Sequence, residues 1–132
     1  MTSLFSDLPE AIDNTNEIVS KVEKLELKRD ILLPNFPIPT EFKQHTDDVL
    51  NQWEYLRHLT YEGAKKRYGE INQEVQERID FELFTIKTMG FAGYFLIVMD
   101  FIQAGRDLGV MIGCGRGSAA GSAVAYCIGI TN

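Results

Sequence analysis

Positive charge, cysteine and long hydrophobic runs are all scarce in this sequence of 132 residues. Its 13 Lys and Arg residues are outnumbered by 19 Asp and Glu residues, which gives a net charge of −6 at pH 7. A free-standing nucleic-acid-binding module needs a basic surface to neutralise phosphates, so this balance argues against that class. The two cysteines, Cys114 and Cys127, make no disulfide framework, and with two histidines they lack metal-ligand spacing. We therefore predict no metal site in the chain.

Targeting and membrane signals are missing as well. Met1 is followed by polar and acidic residues rather than by a basic and then apolar stretch. The longest apolar run, residues 94–99, is far shorter than the roughly 20 residues that a membrane-spanning helix requires. We therefore expect a cytoplasmic protein without a membrane partner. With 45% hydrophobic residues, the chain has enough apolar side chains for a folded core.

Glycine is concentrated in the segment 113–129 near the end of the sequence. Before it, the apolar residues Val110–Ile112 predict a short buried strand. After the first glycines, Ser118 predicts the cap of a helix that runs to about Ile128 and ends at Gly129. Three glycines suited to positive φ angles separate the predicted strand and helix: Gly113, Gly115 and Gly117.

A strand, glycine loop and helix of this kind can bind phosphate. The start of a helix offers unpaired N–H groups and the positive end of the helix dipole, and glycines let the backbone approach phosphate oxygens. Arg116 adds a planar guanidinium and Ser118 adds a hydroxyl donor. The predicted phosphate-binding residues are Gly115, Arg116, Gly117 and Ser118. The predicted supporting residues of the loop and helix are Gly113, Gly121 and Ser122.

Other interpretations of this segment stay open at this point. It can be a tight turn in which the glycines serve geometry alone and Arg116 is merely exposed. The spacing Gly115-x-Gly117-x-x-Ala120 also matches a relaxed dinucleotide-binding fingerprint, but the acidic residue expected roughly 20 positions later would lie beyond Asn132. The alternatives are therefore a Rossmann-like oxidoreductase domain, or a non-catalytic interaction module built from long helices.

The rest of the chain predicts mainly helices. Residues 47–68 predict one long helix that Gly69 ends, with Trp53 in the core rather than stacked on a base. Apolar residues from Ile71 to Ile86 recur at intervals of four and three, which predicts a second long helix ended by Gly90. Its opposite face is predicted to meet solvent, and we assign no chemistry to its charged residues, Glu74, Glu77, Arg78 and Glu82.

The apolar run after Gly90 is ambiguous between a buried strand and a buried helix. We predict a strand at Tyr94–Val98, after which Asp100 begins a helix. The predicted fold class is therefore α/β, dominated by helices, with a small incomplete sheet. Because an incomplete sheet exposes unpaired backbone and apolar surface, we expect the chain to self-associate.

Several motifs taken together resemble one known family. In chain order they are LPNFP (33–37), YLR-x-L (55–59), EG (62–63), RYG (67–69), FAGYFLIVMDFI (91–102), GCGRGSAAGS (113–122) and VAY (124–126). This ordered set is similar to the alpha subunit of bacterial DNA polymerase III, the C-family replicative polymerase. It extends over nearly the whole chain and is far more specific than any one motif.

The resemblance implies that the chain is a fragment of a DNA-directed DNA polymerase. Residues 1–40 would be a helical segment and Pro-rich linker from the end of the PHP domain. Residues 41–132 would be the N-terminal part of the palm, whose core resembles the nucleotidyltransferase fold of DNA polymerase beta. The Gly-Ser motif of the family maps onto Gly117 and Ser118, so the loop would hold the triphosphate of the incoming dNTP. Cys114 stands where the family usually has proline, which loosens the start of the loop but removes no phosphate donor.

The resemblance also implies what lies outside the chain. The catalytic aspartates of the family follow well downstream of the Gly-Ser motif, so none is expected here and the fragment alone should be inactive. The cofactor of the intact enzyme would be Mg²⁺, with its ligands outside these residues. The implied partners are dNTP, primer–template DNA, the sliding clamp and the clamp loader, the last two through other regions of the protein.

Overall fold

The structure is a computed structural model, and it describes residues 2–24, 27–28, 32, 34–115 and 117–132. In these ranges it contains the α-helices α1 (Pro9–Ser20), α2 (Asp48–Tyr68), α3 (Gln73–Met89), α4 (Ala92–Asp107) and α5 (Ala123–Cys127). Short 3₁₀ turns occur at Thr2–Phe5, Thr40–Phe42 and Gly117–Gly121. The chain divides into two compact units, residues 1–31 and residues 32–132.

The first unit contains α1, which begins with Pro9 at its first position. Within this unit α1 contacts the 3₁₀ turn Thr2–Phe5. None of the residues of α1 is buried, and Ile18 and Val19 are largely exposed. The apolar side chains of α1 therefore do not form a core within residues 1–31.

The second unit is built on α2 and α3, whose predicted positions are confirmed. The Asp47 side chain accepts a hydrogen bond from the N–H of Val49 at 2.9 Å and so caps the start of α2. Asn72 caps α3 in the same way, accepting from the N–H of Val75 at 2.9 Å. Each helix stops at the predicted glycine, and Gly90 has the left-handed conformation that glycine adopts most easily.

The core of the second unit lies where α2 packs against α4 and α5, and where α3 packs against α2 and α5. Fully buried side chains from all four helices meet there, among them Leu56, Ile79, Leu96 and Val124. Trp53 lies at the edge of this core and donates a hydrogen bond from Nε1 to the Leu83 carbonyl oxygen at 3.1 Å. The prediction that Trp53 belongs to the core is confirmed.

Glycine sets the distance between α2 and α5. A Cβ built on Gly63 of α2 would overlap the carbonyl oxygen of Cys127 in α5. The backbones of the two helices are therefore in direct contact at this point, which no larger residue permits. This contact places α5, and with it the end of the glycine-rich segment, against the core.

The predicted sheet is wrong, because no residue in the described ranges forms a strand. The predicted strand Tyr94–Val98 lies inside α4, and Asp100 lies in the interior of that helix rather than at its start. An uninterrupted apolar run has no period that distinguishes a buried strand from a buried helix, so the choice between them depends on packing. One face of α4 buries Leu96 against α2, while Phe101 on another face is 71% exposed.

The predicted strand Val110–Ile112 is also wrong. The backbone N–H groups of Gly109 and Val110 donate to the carbonyl oxygens of Arg106 and Gly105, both at 2.9 Å, and this closes the end of α4. Gly109 provides the positive φ of 71° that this closure needs. Since the Val110 N–H is used by the helix end and Met111 is 96% exposed, the segment is a surface connection.

The described residues form no sheet edge, so unpaired strand backbone is no longer a reason to expect self-association. The apolar surface remains, because Phe81, Phe84 and Phe101 are mostly exposed.

Within the described residues no single helix is long and apolar enough to cross a membrane. The helices α3 and α4 reach that requirement together, but they are bent by 112° at the break between them.

Candidate phosphate-binding loop

The glycine loop, residues 113–121, crosses the surface of the second unit. All of its described residues are exposed, while Arg116 lies outside the described residues. Gly115 and Gly117 have positive φ angles of 83° and 72°, so the predicted left-handed conformation is confirmed for both, whereas it is wrong for Gly113, whose φ is not positive. A Cβ at Gly113, Gly117 or Gly121 would meet no heavy atom within 4 Å. The backbone of the loop is therefore open to a ligand at these positions.

The loop does not lead directly into a long helix. Gly117–Gly121 forms a 3₁₀ turn, and α5 begins only at Ala123. The predicted cap Ser118 is wrong, because the N-cap of α5 is Ser122, whose Oγ accepts from the N–H of Ala125 at 3.1 Å. Both serines precede small residues, so local sequence alone does not distinguish them.

A carboxylate from α3 occupies the start of α5. Glu82 Oε2 accepts hydrogen bonds from Ser122 Oγ at 2.8 Å and from the N–H of Val124 at 3.0 Å. Glu82 Oε1 accepts from the N–H of Ala123 at 3.1 Å. The N–H groups that a helix start normally leaves unpaired are used here by the protein itself. The donors left for a phosphate in this segment are those of the loop before Ser122.

Arg78, one turn before Glu82 on α3, balances this carboxylate. Arg78 Nε lies 2.6 Å from Glu82 Oε1, and Arg78 Nη2 lies 3.5 Å from the Gly121 carbonyl oxygen. Burial acts to raise the pKa of Glu82, but hydrogen bonds from Val124, Ser122, Arg78 and Ala123 outweigh it and lower that pKa. Glu82 is therefore a charged and fully hydrogen-bonded group in the folded protein.

The prediction that Glu82 lies on a solvent-facing surface without a chemical role is wrong. Its side chain is only 11% exposed. The four-residue spacing of Arg78 and Glu82 was visible in the sequence, but the contact with Ser122 joins residues 40 positions apart. Periodicity carries no information about such a contact. The one sequence feature that could have indicated this contact is Ser122, which is a second possible helix cap in the glycine-rich segment.

The lowered pKa of Glu82 gives a pH-dependent contribution to stability. A carboxyl group whose pKa is depressed by folding stabilises the protein above its unfolded pKa, and this stabilisation is lost as pH falls through the folded pKa. The free energy of unfolding of this chain is expected to fall as pH decreases below the ordinary glutamate value of 4.5. Urea unfolding between about pH 6 and about pH 3 measures it, and Glu82→Gln should flatten the dependence. Equal slopes for both proteins would contradict this assignment.

Two open clefts lie beside the loop. One, of about 400 Å³, is lined by Ser118, Gly121 and Ser122 together with Phe81 and Phe95. The other, of about 690 Å³, runs along Gly121 and Ser122 towards Tyr68 and Tyr126. The structure thus brings the predicted residues Ser118, Gly121 and Ser122 together on one cleft, whereas Gly113, Gly115 and Gly117 do not line it.

The two cysteines lie in different environments. Cys114 is exposed in the loop, and Cys127 is buried in the core. Burial raises the pKa of the Cys127 thiol to about 11. In the described residues no three His, Cys, Asp or Glu side chains are grouped so as to hold a metal ion.

The sequence of this chain is similar to those of known proteins. Residues 54–132 match the family described as the bacterial DNA polymerase III alpha NTPase domain. The chain is 44% identical over 133 residues to a DNA polymerase III subunit alpha of Borreliella burgdorferi, 46% identical over 137 residues to that of Caulobacter vibrioides, and 44% identical over 144 residues to that of Pseudomonas aeruginosa.

All of this chain is covered in these comparisons, but the chain spans only 11–12% of the length of the curated relatives it matches. The family match covers α3, α4, the glycine loop and α5, together with most of α2. Since this match includes more than half of the residues, the chain belongs to the bacterial DNA polymerase III alpha family.

Proposed function

We propose that this chain is part of a replicative DNA-directed DNA polymerase and that its glycine loop binds the triphosphate of the incoming dNTP. The observation that carries the proposal is the exposed loop with left-handed Gly115 and Gly117, which lies inside the segment that matches the family. In this proposal residues 1–40 come from the end of the PHP region, and residues 41–132 form the N-terminal part of the palm.

The loop acts through position and charge. In template-directed synthesis the primer 3′ oxygen attacks the α-phosphorus of the dNTP, and the bond from that phosphorus to the pyrophosphate breaks. Backbone N–H groups at Gly115 and Gly117, the Ser118 hydroxyl and the Arg116 guanidinium donate to the β- and γ-phosphate oxygens. They thereby orient the triphosphate and stabilise the negative charge that develops on pyrophosphate.

The remaining parts of the polymerase site belong to the parent protein. The described residues offer no metal-binding cluster, so no catalytic step is assigned to a metal ion held by this chain. We place the Mg²⁺ ligands on aspartates outside these residues, and the fragment alone is inactive for that reason. Primer–template DNA, the sliding clamp and the clamp loader are partners of the parent protein.

No observation favours the two alternative functions. A dinucleotide-binding domain requires a strand directly before its glycine loop, whereas residues 110–112 follow the closed end of α4 on the surface. The helix after such a loop presents its free N–H groups to pyrophosphate, whereas the N–H groups at the start of α5 bond to Glu82. An interaction module made of helices alone does not need an open glycine loop.

Single-nucleotide incorporation on a primed template tests the proposal. In the full-length parent alpha subunit, Ser118→Ala is expected to raise the KM for dNTP at least about tenfold, because a hydrogen bond to a charged group contributes roughly 1.5–3 kcal/mol. Ser118 is exposed in a 3₁₀ turn, so the thermal unfolding temperature should not change.

Ser20→Ala is the matched control, since Ser20 Oγ donates to the Glu17 carbonyl oxygen within α1. It should leave KM unchanged. If the folded wild-type enzyme with Mg²⁺ extends no primer, the polymerase proposal fails, and dinucleotide binding becomes the next function to test.

A further inference from the structure

Glu82 connects the end of the glycine loop to the helical core. We propose that Glu82 is a positioning residue for the dNTP triphosphate, acting through Ser122 and the loop while Arg78 holds its carboxylate in place. This inference rests on the proposed function, because it assigns Glu82 a role in the same phosphate site.

Glu82 holds the start of α5 with its whole carboxylate. Both carboxylate oxygens are used: Oε2 accepts from Ser122 Oγ and the Val124 N–H, and Oε1 accepts from the Ala123 N–H. The distances lie between 2.8 and 3.1 Å, so the three bonds fix the carboxylate relative to the backbone that leaves the loop. The chain cannot shift at Ser122 without breaking them.

Glu82 lies on a part of α3 that is packed into the core. The flanking residues Ile79, Leu83 and Ile86 of α3 are buried in the core. Arg78 contacts the same carboxylate from one turn earlier, and its Nη2 reaches towards the Gly121 carbonyl oxygen. Glu82 therefore holds the end of the loop at a fixed position relative to α3.

The chain is also held in place shortly before the loop begins. The Val110 N–H donates to the Gly105 carbonyl oxygen at the end of α4. Between these two anchors the described residues 113–121 are exposed, and their glycines meet few neighbours. The position of the loop is therefore set at its ends rather than along its length, so loss of one anchor should displace the phosphate donors.

Glu82→Gln tests the inference in the full-length alpha subunit. The amide keeps the size of the side chain but offers one acceptor oxygen instead of two, so at least one of the three bonds is lost. Displaced donors bind the triphosphate less tightly, so we expect the KM for dNTP to rise about tenfold with a smaller change in kcat, which lies within the roughly 100-fold that a misplacement of about 1 Å can cost. The affinity for primer–template DNA should stay unchanged.

A double variant separates positioning from general stability. If Glu82 acts through the loop, Glu82→Gln and Ser118→Ala combined should raise KM by less than the product of their separate effects. Leu56→Val is the stability control: it shortens a buried side chain of α2 that does not contribute to the support of Glu82, and it should lower the unfolding temperature without raising KM.

The outcomes are distinct. An increase in KM with Glu82→Gln that is non-additive with Ser118→Ala supports the inference. If Ser118→Ala raises KM but Glu82→Gln does not, or if the two effects multiply, the positioning role is overturned while the proposed function stands. If Leu56→Val raises KM as much as Glu82→Gln at equal loss of stability, the role of Glu82 is merely structural. If no variant at the loop or at Glu82 changes KM, the proposed function fails, and the positioning role fails with it.

Discussion

Gly63→Ala is expected to destabilise this chain by about 2–3 kcal/mol, since overpacking of a core has costs of this size. Alanine favours a helix interior over glycine by roughly 1 kcal/mol, so local propensity alone would predict a gain in stability. The new Cβ, however, would overlap the carbonyl oxygen of Cys127, and a backbone atom cannot rotate away as a side chain can. α2 and α5 would have to separate. Urea unfolding of the wild type and the variant measures the difference.

The matched control for this change is Gly113→Ala. Gly113 does not have a positive φ, and a Cβ there would meet nothing within 4 Å, so the same added methyl group should leave stability nearly unchanged. A Gly63→Ala variant more stable than the wild type would show that α5 does not contact α2 at this glycine.

Arg116→Ala in the full-length alpha subunit is expected to lower kcat/KM for dNTP by about 100-fold, because one lost donor to developing charge costs roughly 3 kcal/mol. The prediction comes from the position of Arg116 between Gly115 and Gly117 in the sequence. Steady-state incorporation of one nucleotide over a range of dNTP concentrations measures it. Arg116→Lys should recover part of the loss, since lysine keeps the charge but cannot form a planar fork with two phosphate oxygens.

Arg57→Ala is the control for the loss of one guanidinium. Arg57 lies over the ring of Tyr61 and lines a different cleft, between α2 and α3, which shares no lining residue with the clefts beside the loop. Its effect on dNTP use should be small. If Arg116→Ala and Arg57→Ala have equal effects, Arg116 has no special role with the triphosphate.

Much of the helical fold could be predicted from local sequence. Asp47 and Asn72 are good helix caps, Gly69 and Gly90 are good helix ends, and apolar residues follow the period of 3.6 between them. The wrong prediction was the strand at Tyr94–Val98, where every position is apolar and periodicity therefore does not distinguish a strand from a helix. Only packing against α2 decided that this run forms a helix.

Only part of the candidate site could be predicted, and the reason is related. Positive φ angles at Gly115 and Gly117 follow from the residue type, and the exposure of the loop follows from its composition. The choice between Ser118 and Ser122 as the helix cap depends on Glu82, which reaches it from a distant part of the sequence. Local rules describe the residues of a loop well, but they do not identify the tertiary partner that fixes where the loop begins and ends.

The contrast between the two cysteines has a chemical consequence. Thiol reagents and oxidants act on an accessible thiolate, and the raised pKa and burial of Cys127 deny them both conditions. Cys114 is exposed beside Gly115, so alkylation or oxidation of this chain is directed to the glycine loop. The same cysteine gives an attachment point for a fluorophore or spin label at the loop without any substitution of the sequence.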